Sequence, residues 1–220
     1  MGKEIKLNKG LQINLDGESD KVYANVKLNS NYVIKPTDFH GLTPRLEVKV
    51  GDKVKAGNHI FHDKYNEKIK FCSPVSGEVT DIIRGKKRRI LEVVIKSEDN
   101  IAYHNFPTSN LDDINREQII ERMLDGGVWP FIRQKPYDII ANPYDVPKSI
   151  FISTFNSAPL AIDNDFALYG MENLFQQGLN LITKLTSGKT HLNLDGNTNP
   201  SQVFSNLKGV EKNKITGHHP

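Results

Sequence analysis

One cysteine, Cys72, stands in a chain of 220 residues. A single thiol excludes an internal disulfide and leaves no Cys-x-x-Cys pair to ligate zinc or an iron-sulfur cluster within this stretch. Long apolar runs are missing as well. Nothing approaches the roughly 20 consecutive apolar residues of a membrane-spanning helix, and the opening Met1-Gly2-Lys3-Glu4-Ile5-Lys6 has no apolar core for a secretion signal. The expectation is a chain that stays in the cytoplasm. Charge of one sign is scarce too: 29 lysines and arginines against 26 aspartates and glutamates leave a net +3, too little to argue for nucleic acid. With 37% hydrophobic residues and a mean hydropathy of −0.48, the composition is that of a soluble globular chain. Its length suffices for two modest domains, each with a core.

What is present is short apolar alternation broken by glycine. Leu46-Glu47-Val48-Lys49-Val50-Gly51-Asp52-Lys53-Val54-Lys55-Ala56-Gly57 is followed by Ser73-Pro74-Val75-Ser76-Gly77-Glu78-Val79 and closes on Leu91-Glu92-Val93-Val94-Ile95. Such spacing reads as brief half-buried strands joined by tight turns, two halves echoing one another in a barrel-sandwich hybrid. It resembles the biotinyl and lipoyl carrier domains. A carrier needs a lysine at the hairpin tip between the halves, and eight residues before Pro74 stands Asn66, flanked by Lys64 and Lys68. Neither lysine has the Met-Lys-Met or Asp-Lys-Ala context of a modified one, so a scaffold use of the fold is expected and a carrier is the alternative. The basic cluster Arg84-Gly85-Lys86-Lys87-Arg88-Arg89 falls where a hairpin turn belongs. It reads as a solvated turn, or as a dock for anionic lipid or an acidic partner.

Ahead of the barrel, Ile5-Lys6-Leu7 and Leu11-Gln12-Ile13-Asn14-Leu15 alternate like edge strands, with Val22 to Leu28 pairing beside them. Behind it, Asn115 and Gln118 form an N-cap pair for a helix with Ile119, Ile120, Met123 and Leu124 on one face. Asp125-Gly126-Gly127 stops that helix, and Val128-Trp129-Pro130-Phe131 puts the only tryptophan in the loop that follows. The loop could stack on a planar ring or tuck its indole underneath. Beyond the Pro-rich boundary at Pro143 and Pro147, a strand at Ser149 to Thr154 leads to a helix carrying Met171, Leu174, Phe175, Gly178, Leu179, Ile182 and Leu185, capped by Gly188. Lys189 to Leu194 is a second strand, Pro200 to Leu207 a short helix, and Lys214-Ile215-Thr216 begins a third strand. This is a Rossmann-like βαβαβ layout. Its first strand-to-helix loop, Phe155-Asn156-Ser157-Ala158-Pro159-Leu160, has no glycine to bring backbone N–H groups to a pyrophosphate. Asp163 and Asp165 follow; they read as helix caps that repel phosphate rather than as an acid/base pair. His59 and His62, three apart, fall on opposite faces of a strand and share no metal.

Five segments together resemble one family. They are Ile5-Lys6-Leu7-Asn8-Lys9-Gly10-Leu11, Phe71-Cys72-Ser73-Pro74-Val75-Ser76-Gly77, Trp129-Pro130-Phe131-Ile132-Arg133, Asn156-Ser157-Ala158-Pro159-Leu160 and Gly217-His218-His219-Pro220. The family is that of the NqrA component of the sodium-translocating NADH:quinone oxidoreductase (Nqr). The C component of Rnf complexes and the flavin-bearing component of respiratory complex I are its distant kin. That family is about twice this long, so the chain is expected to be its N-terminal part. The distant kin carry a Gly-rich flavin loop at the segment equivalent to Asp125 to Phe131; here only Gly126, Gly127 and Phe131 remain of it.

The expected fold is therefore α+β and α/β in several domains. An all-β barrel-sandwich hybrid with the N-terminal strands spans 1–104, a helix and Gly-Gly-Val-Trp connector 105–146, and a Rossmann-like domain 147–220. The resemblance implies a peripheral subunit with no catalytic residue, metal, flavin or iron-sulfur centre of its own and no tightly bound cofactor. It would support ubiquinone binding and subunit docking on the cytoplasmic side of the bacterial inner membrane. Its partners would be other Nqr subunits, chiefly the quinone-binding one in the membrane. Gly126, Gly127, Trp129, Phe131 and His218 are the candidate quinone or residual flavin-loop residues. The alternatives are a diverged dehydrogenase component that binds NADH or flavin, and a biotin/lipoyl carrier.

Overall fold

The computed structural model describes residues 2–10, 13, 15–17, 19–108, 110–111, 113–158 and 160–217. They divide into two compact units, one of residues 25–145 and one combining the chain up to Ala24 with the chain from Val146 onward. The first strand, β1 (Glu4–Lys6), belongs to the second of these.

Unit 25–145 holds β2 (Asn31–Ile34), β3 (Pro44–Leu46), β4 (Lys53–Val54), β5 (His59–Asp63), β6 (Asn66–Cys72), β7 (Gly77–Arg84) and β8 (Ile90–Ser97). They form two antiparallel sheets, β2-β8-β7-β4 and β3-β5-β6. Alternation along each strand sends one set of side chains inward. Phe61, Val79, Val93 and Ile95 are fully buried, and so is Ile60, next to Phe61 where the β5–β6 register shifts, each contributing about 1.5–3 kcal/mol by leaving water. The rings of Phe61 and Phe71 stack there at 4.7 Å. Helix α1 (Arg116–Asp125) follows with the expected capping box, in which the Asn115 side chain accepts from Gln118 N–H and the Gln118 side chain accepts from Asn115 N–H. Its buried face, Ile119, Ile120 and Leu124, packs on β6. A short hairpin of β9 (Arg133–Gln134) and β10 (Ile139–Ile140) completes the unit. Of the segment 105–146, expected to be a separate connector, residues 105–145 fall in the same compact unit as the barrel strands. An apolar face on a single short helix has to be covered, and β6 covers it.

The second unit is a four-stranded parallel sheet in the order β1-β13-β12-β11, with β11 (Ser149–Ser153), β12 (Lys189–Asp195) and β13 (Glu211–Thr216). Between β11 and β12 lie α2 (Asn164–Ala167) and α3 (Glu172–Thr183), and between β12 and β13 lies α4 (Gln202–Ser205). Leu179, Leu192, Leu194, Val203, Phe204 and Leu207 form its core.

Four expectations are corrected here. The opening strand does not edge the barrel: Ile5 pairs with Ile215 in parallel, with Leu7 N–H donating to Thr216 O at 2.8 Å. Alternation marks a strand but carries no address for the sheet it joins. Val22 and Val26 are exposed in irregular chain, and Leu11, Gln12 and Asn14 lie outside the described residues. Gly188 does not cap α3, which ends at Thr183. It enters β12, where a Cβ would lie 2.0 Å from Lys148 O. Leu174, counted on the inner face of that helix, is 68% exposed.

Candidate functional site

The loop after α1 is built by the barrel beneath it. Gly127 has φ +68°, and a Cβ on it would lie 2.7 Å from Cys72 Sγ at the end of β6; only glycine allows this approach. The Cys72 thiol donates to Asp125 O at 3.6 Å. Burial foremost, then the charges of Asp125 and Glu47, pushes that thiol up to about 11, so it is protonated and unreactive at neutral pH. Gly126 is the C-cap of α1.

The indole of Trp129 is tucked under the loop, 4% exposed, with Nε1–H donating to Ala141 O at 2.8 Å. Pro130 is fully buried beside it. The side chains left facing solvent are Val128, 51% exposed, and Phe131, 73% exposed. Its ring begins a series that runs into the barrel: Phe131 to Phe39 at 6.0 Å, Phe39 to Phe71 at 4.7 Å, Phe71 to Phe61 at 4.7 Å. The structure therefore brings Gly126, Gly127, Trp129 and Phe131 together but gives the aromatic surface to Phe131 and not to Trp129. His218 lies outside the described residues.

Beside the loop, β5 and β6 gather a polar cluster that strand periodicity had dispersed. His59 and His62 were expected on opposite faces, yet a register shift between His59 and Phe61 turns both toward Glu47. His62 Nδ1 is 2.7 Å from Glu47 Oε1 and His59 Nδ1 is 3.7 Å from Oε2, while the Lys70 ammonium also pairs with Oε1. Burial works to raise the Glu47 carboxyl, but hydrogen bonds from Lys70 and His62 outweigh it and hold it below the usual carboxylate range. His59 Nε2 meets Asp125 O at 2.8 Å and so ties the helix end to the sheet. Among the described residues no group of three or more His, Cys, Asp or Glu is arranged to hold a metal. Nothing in the sequence pattern signals a bulge at this point, and Phe39, between β2 and β3, carried no signal at all.

The second unit offers a cleft of about 520 Å³ at the carboxyl ends of β11 and β12, with Thr154, Asn156, Asp163, Asp165, Asp195 and Ser201 on its wall. This is the ligand side of such sheets. Its carboxylates are already engaged. Asp163 caps α2, accepting from Phe166 N–H at 3.1 Å, and pairs with Lys21 at 2.5 Å. Those two contacts, Lys21 first, hold it below its ordinary value. Asp165 accepts from Ser201 N–H at 3.1 Å, and Asp195 from Asn197 N–H and the Thr198 hydroxyl.

Comparison with known proteins gives one consistent answer. Residues 5–98 match the NqrA N-terminal barrel-sandwich hybrid domain and residues 114–220 the NqrA second alpha/beta domain. Curated relatives, each the NqrA component of a Na(+)-translocating NADH-quinone reductase, include those of Tolumonas auensis, 32% identical over 219 residues, Saccharophagus degradans at 31% over 219 and Vibrio campbellii at 30% over 218. Each comparison covers 98% of this chain and 48% of the relative. The chain spans about half the length of the curated relatives it matches.

Proposed function

The chain belongs to the NqrA family of Na(+)-translocating NADH-quinone reductase components, and from that premise we propose that it acts as a peripheral part of such a complex. It supports quinone binding and docks other subunits without a flavin or iron-sulfur centre of its own. The membrane quinone-binding subunit is its main partner, and the cytoplasmic side of the bacterial inner membrane is its place. Among the described residues no helix is long and apolar enough to cross a membrane, which accords with attachment through partners.

The observation that carries this reading is how the loop after α1 is filled. A flavin held by backbone N–H groups needs bare main chain facing the ligand. Here Gly127 has its back against Cys72, and Trp129 and Pro130 are buried. These residues do not fit a flavin. What the loop presents is an exposed phenyl ring, Phe131, beside the exposed Val128 and against a series of further rings, a surface for stacking a flat, weakly polar head group such as a quinone. In the second unit, a cleft walled by three engaged carboxylates disfavours a pyrophosphate.

The test titrates the chain with a soluble ubiquinone analogue and, separately, with flavin mononucleotide, following the emission of Trp129. Saturable quenching by the quinone, lost in F131A, is expected. Saturation by the flavin overturns the reading and restores a diverged dehydrogenase.

One observation keeps a second reading open. The β5–β6 hairpin closes through Asp63 and Asn66, so its two-residue turn is Lys64-Tyr65. Lys64, not Lys68, therefore occupies the position of a swinging-arm lysine in a carrier domain, with its ammonium 5.7 Å from the Tyr65 ring. An intact mass equal to that of the bare polypeptide, from a host holding biotin and lipoyl ligases, removes the carrier.

A further inference from the structure

The hairpin joining β7 to β8 is unlike the other turns of the barrel. Its ladder ends at Arg84 opposite Ile90, and the turn is closed by Gly85 N–H to Arg89 O at 2.8 Å and Arg89 N–H to Lys86 O at 3.2 Å. The two central residues are Lys87 at φ +56° and Arg88 at φ +60°, a type I′ turn. That turn is built for Asn-Gly, because a positive φ presses a Cβ against the backbone. Here it holds two long cationic side chains in a conformation that disfavours both.

The charge gathered there is large for this protein. Arg84, Lys86, Lys87, Arg88 and Arg89 put five cations and no carboxylate in six residues. Without them the chain has 24 cations against 26 carboxylates, so the whole net positive charge of +3 resides in one turn and the remainder is at −2. All five side chains are exposed. Among the described residues none pairs with a carboxylate; the polar contact found is Arg84 Nη1 to Arg88 O at 3.2 Å, which folds the charges together. A strained, uncompensated concentration of charge is better explained by something outside the chain than by the fold.

We propose that the 84–89 hairpin is a docking tip for an anionic lipid surface, in direct contact with acidic head groups. The chemistry favours lipid over an acidic protein. Specific protein interfaces are anchored by buried aromatic or apolar side chains within a polar rim, and residues 84–89 contain no apolar side chain. Five solvated cations on a narrow tip instead suit mobile head groups that can gather around them, with attraction that accumulates charge by charge and fades within a Debye length. The inference stands on this hairpin alone and does not require quinone to bind near Phe131.

The turn also supplies a clean test. K87N/R88G removes two cations and gives a type I′ turn the residues it prefers, so its melting temperature is expected to hold or rise. The 220-residue chain is sedimented with phosphatidylcholine vesicles, neutral or containing about 30% phosphatidylglycerol. The unaltered chain is expected to bind the anionic vesicles only, and to be released when salt rises from about 0.05 M to about 0.5 M. K87N/R88G is expected to bind them roughly tenfold or more weakly, while K49Q/K53Q, which removes two exposed lysines elsewhere in the barrel unit, keeps most of the binding. The proposal is overturned if neutral and anionic vesicles bind alike, or if the folded K87N/R88G binds as the unaltered chain does. It is also overturned if poly-glutamate or duplex DNA retains the chain and anionic vesicles do not, which would assign the tip to an acidic macromolecule of another class.

Discussion

The loop after α1 and the loop after β11 are each filled by this chain's own groups, but by different routes. At residues 126–131 the space is closed by packing: Gly127 presses on Cys72 and the indole of Trp129 lies underneath. At residues 154–165 the space stays open, a cleft of about 520 Å³, but Asp163 and Asp165 satisfy the local N–H groups that a phosphate would otherwise meet. Packing leaves an apolar platform, Phe131. Capping leaves a polar, self-satisfied hollow. The difference teaches that a glycine pair retained in a sequence says little until one knows what stands behind it.

The two routes predict different failures. Gly127→Ala strikes packing hardest: a Cβ meets Cys72 at a φ that alanine resists, so a loss of about 2–4 kcal/mol is expected in urea unfolding of the barrel unit. Adding C72A should return the steric part and leave the backbone part; no recovery at all would mean that the contact is not what constrains the loop. The next effect, in the same region, is seen in alkali. Because the folded thiol of Cys72 is pushed up to about 11, its contribution is whole below the unfolded thiol value near 9 and is lost as pH rises through 11, by about 2 kcal/mol at most once the screening of a partly exposed group is discounted. Chemical unfolding between these values should show that decline in the unaltered chain and a flatter profile in C72A.

Disruption of the capped loop costs less. D163A removes the cap of α2 and should lower stability by about 1 kcal/mol, the exposed pair with Lys21 adding little. The folded carboxyl lies below its ordinary value, so this contribution is present above the unfolded carboxylate value and disappears as pH falls through the lowered one. Thermal unfolding across that acid range, compared with D163A, checks it. The smallest stability effect belongs to Phe131: with a ring 73% exposed, F131A should shift unfolding by about 0.5 kcal/mol or less. A larger loss would make the ring structural and weaken its assignment to a ligand.

Much of this was legible in residues. Glycine spacing gave the barrel, Asn115 with Gln118 gave the capping box, and Asp163 read correctly as a cap. Each is a local signal, completed within three or four positions. The parts that were not legible depend on distant chain. His59 and His62 share a face because of a bulge that depends on the partner strand β6. Trp129 is buried because Ala141 supplies an acceptor twelve residues away. The prominence of Phe131 follows from that burial. Nothing within Ile5-Lys6-Leu7 says which sheet it will enter.

That last strand sets an order of events in synthesis. A ribosome delivers β1 first and β13 last, and Lys3 N–H finds Asn213 Oδ1 across 210 positions of sequence. At about 5–20 residues per second, β1 waits on the order of 10–40 s without its neighbour, while the whole barrel unit emerges and can fold in the interval. The α/β sheet thus completes its pairing only after the barrel unit has emerged. A nascent chain stalled before residue 211 should already protect the barrel from protease while its first residues remain open to cleavage.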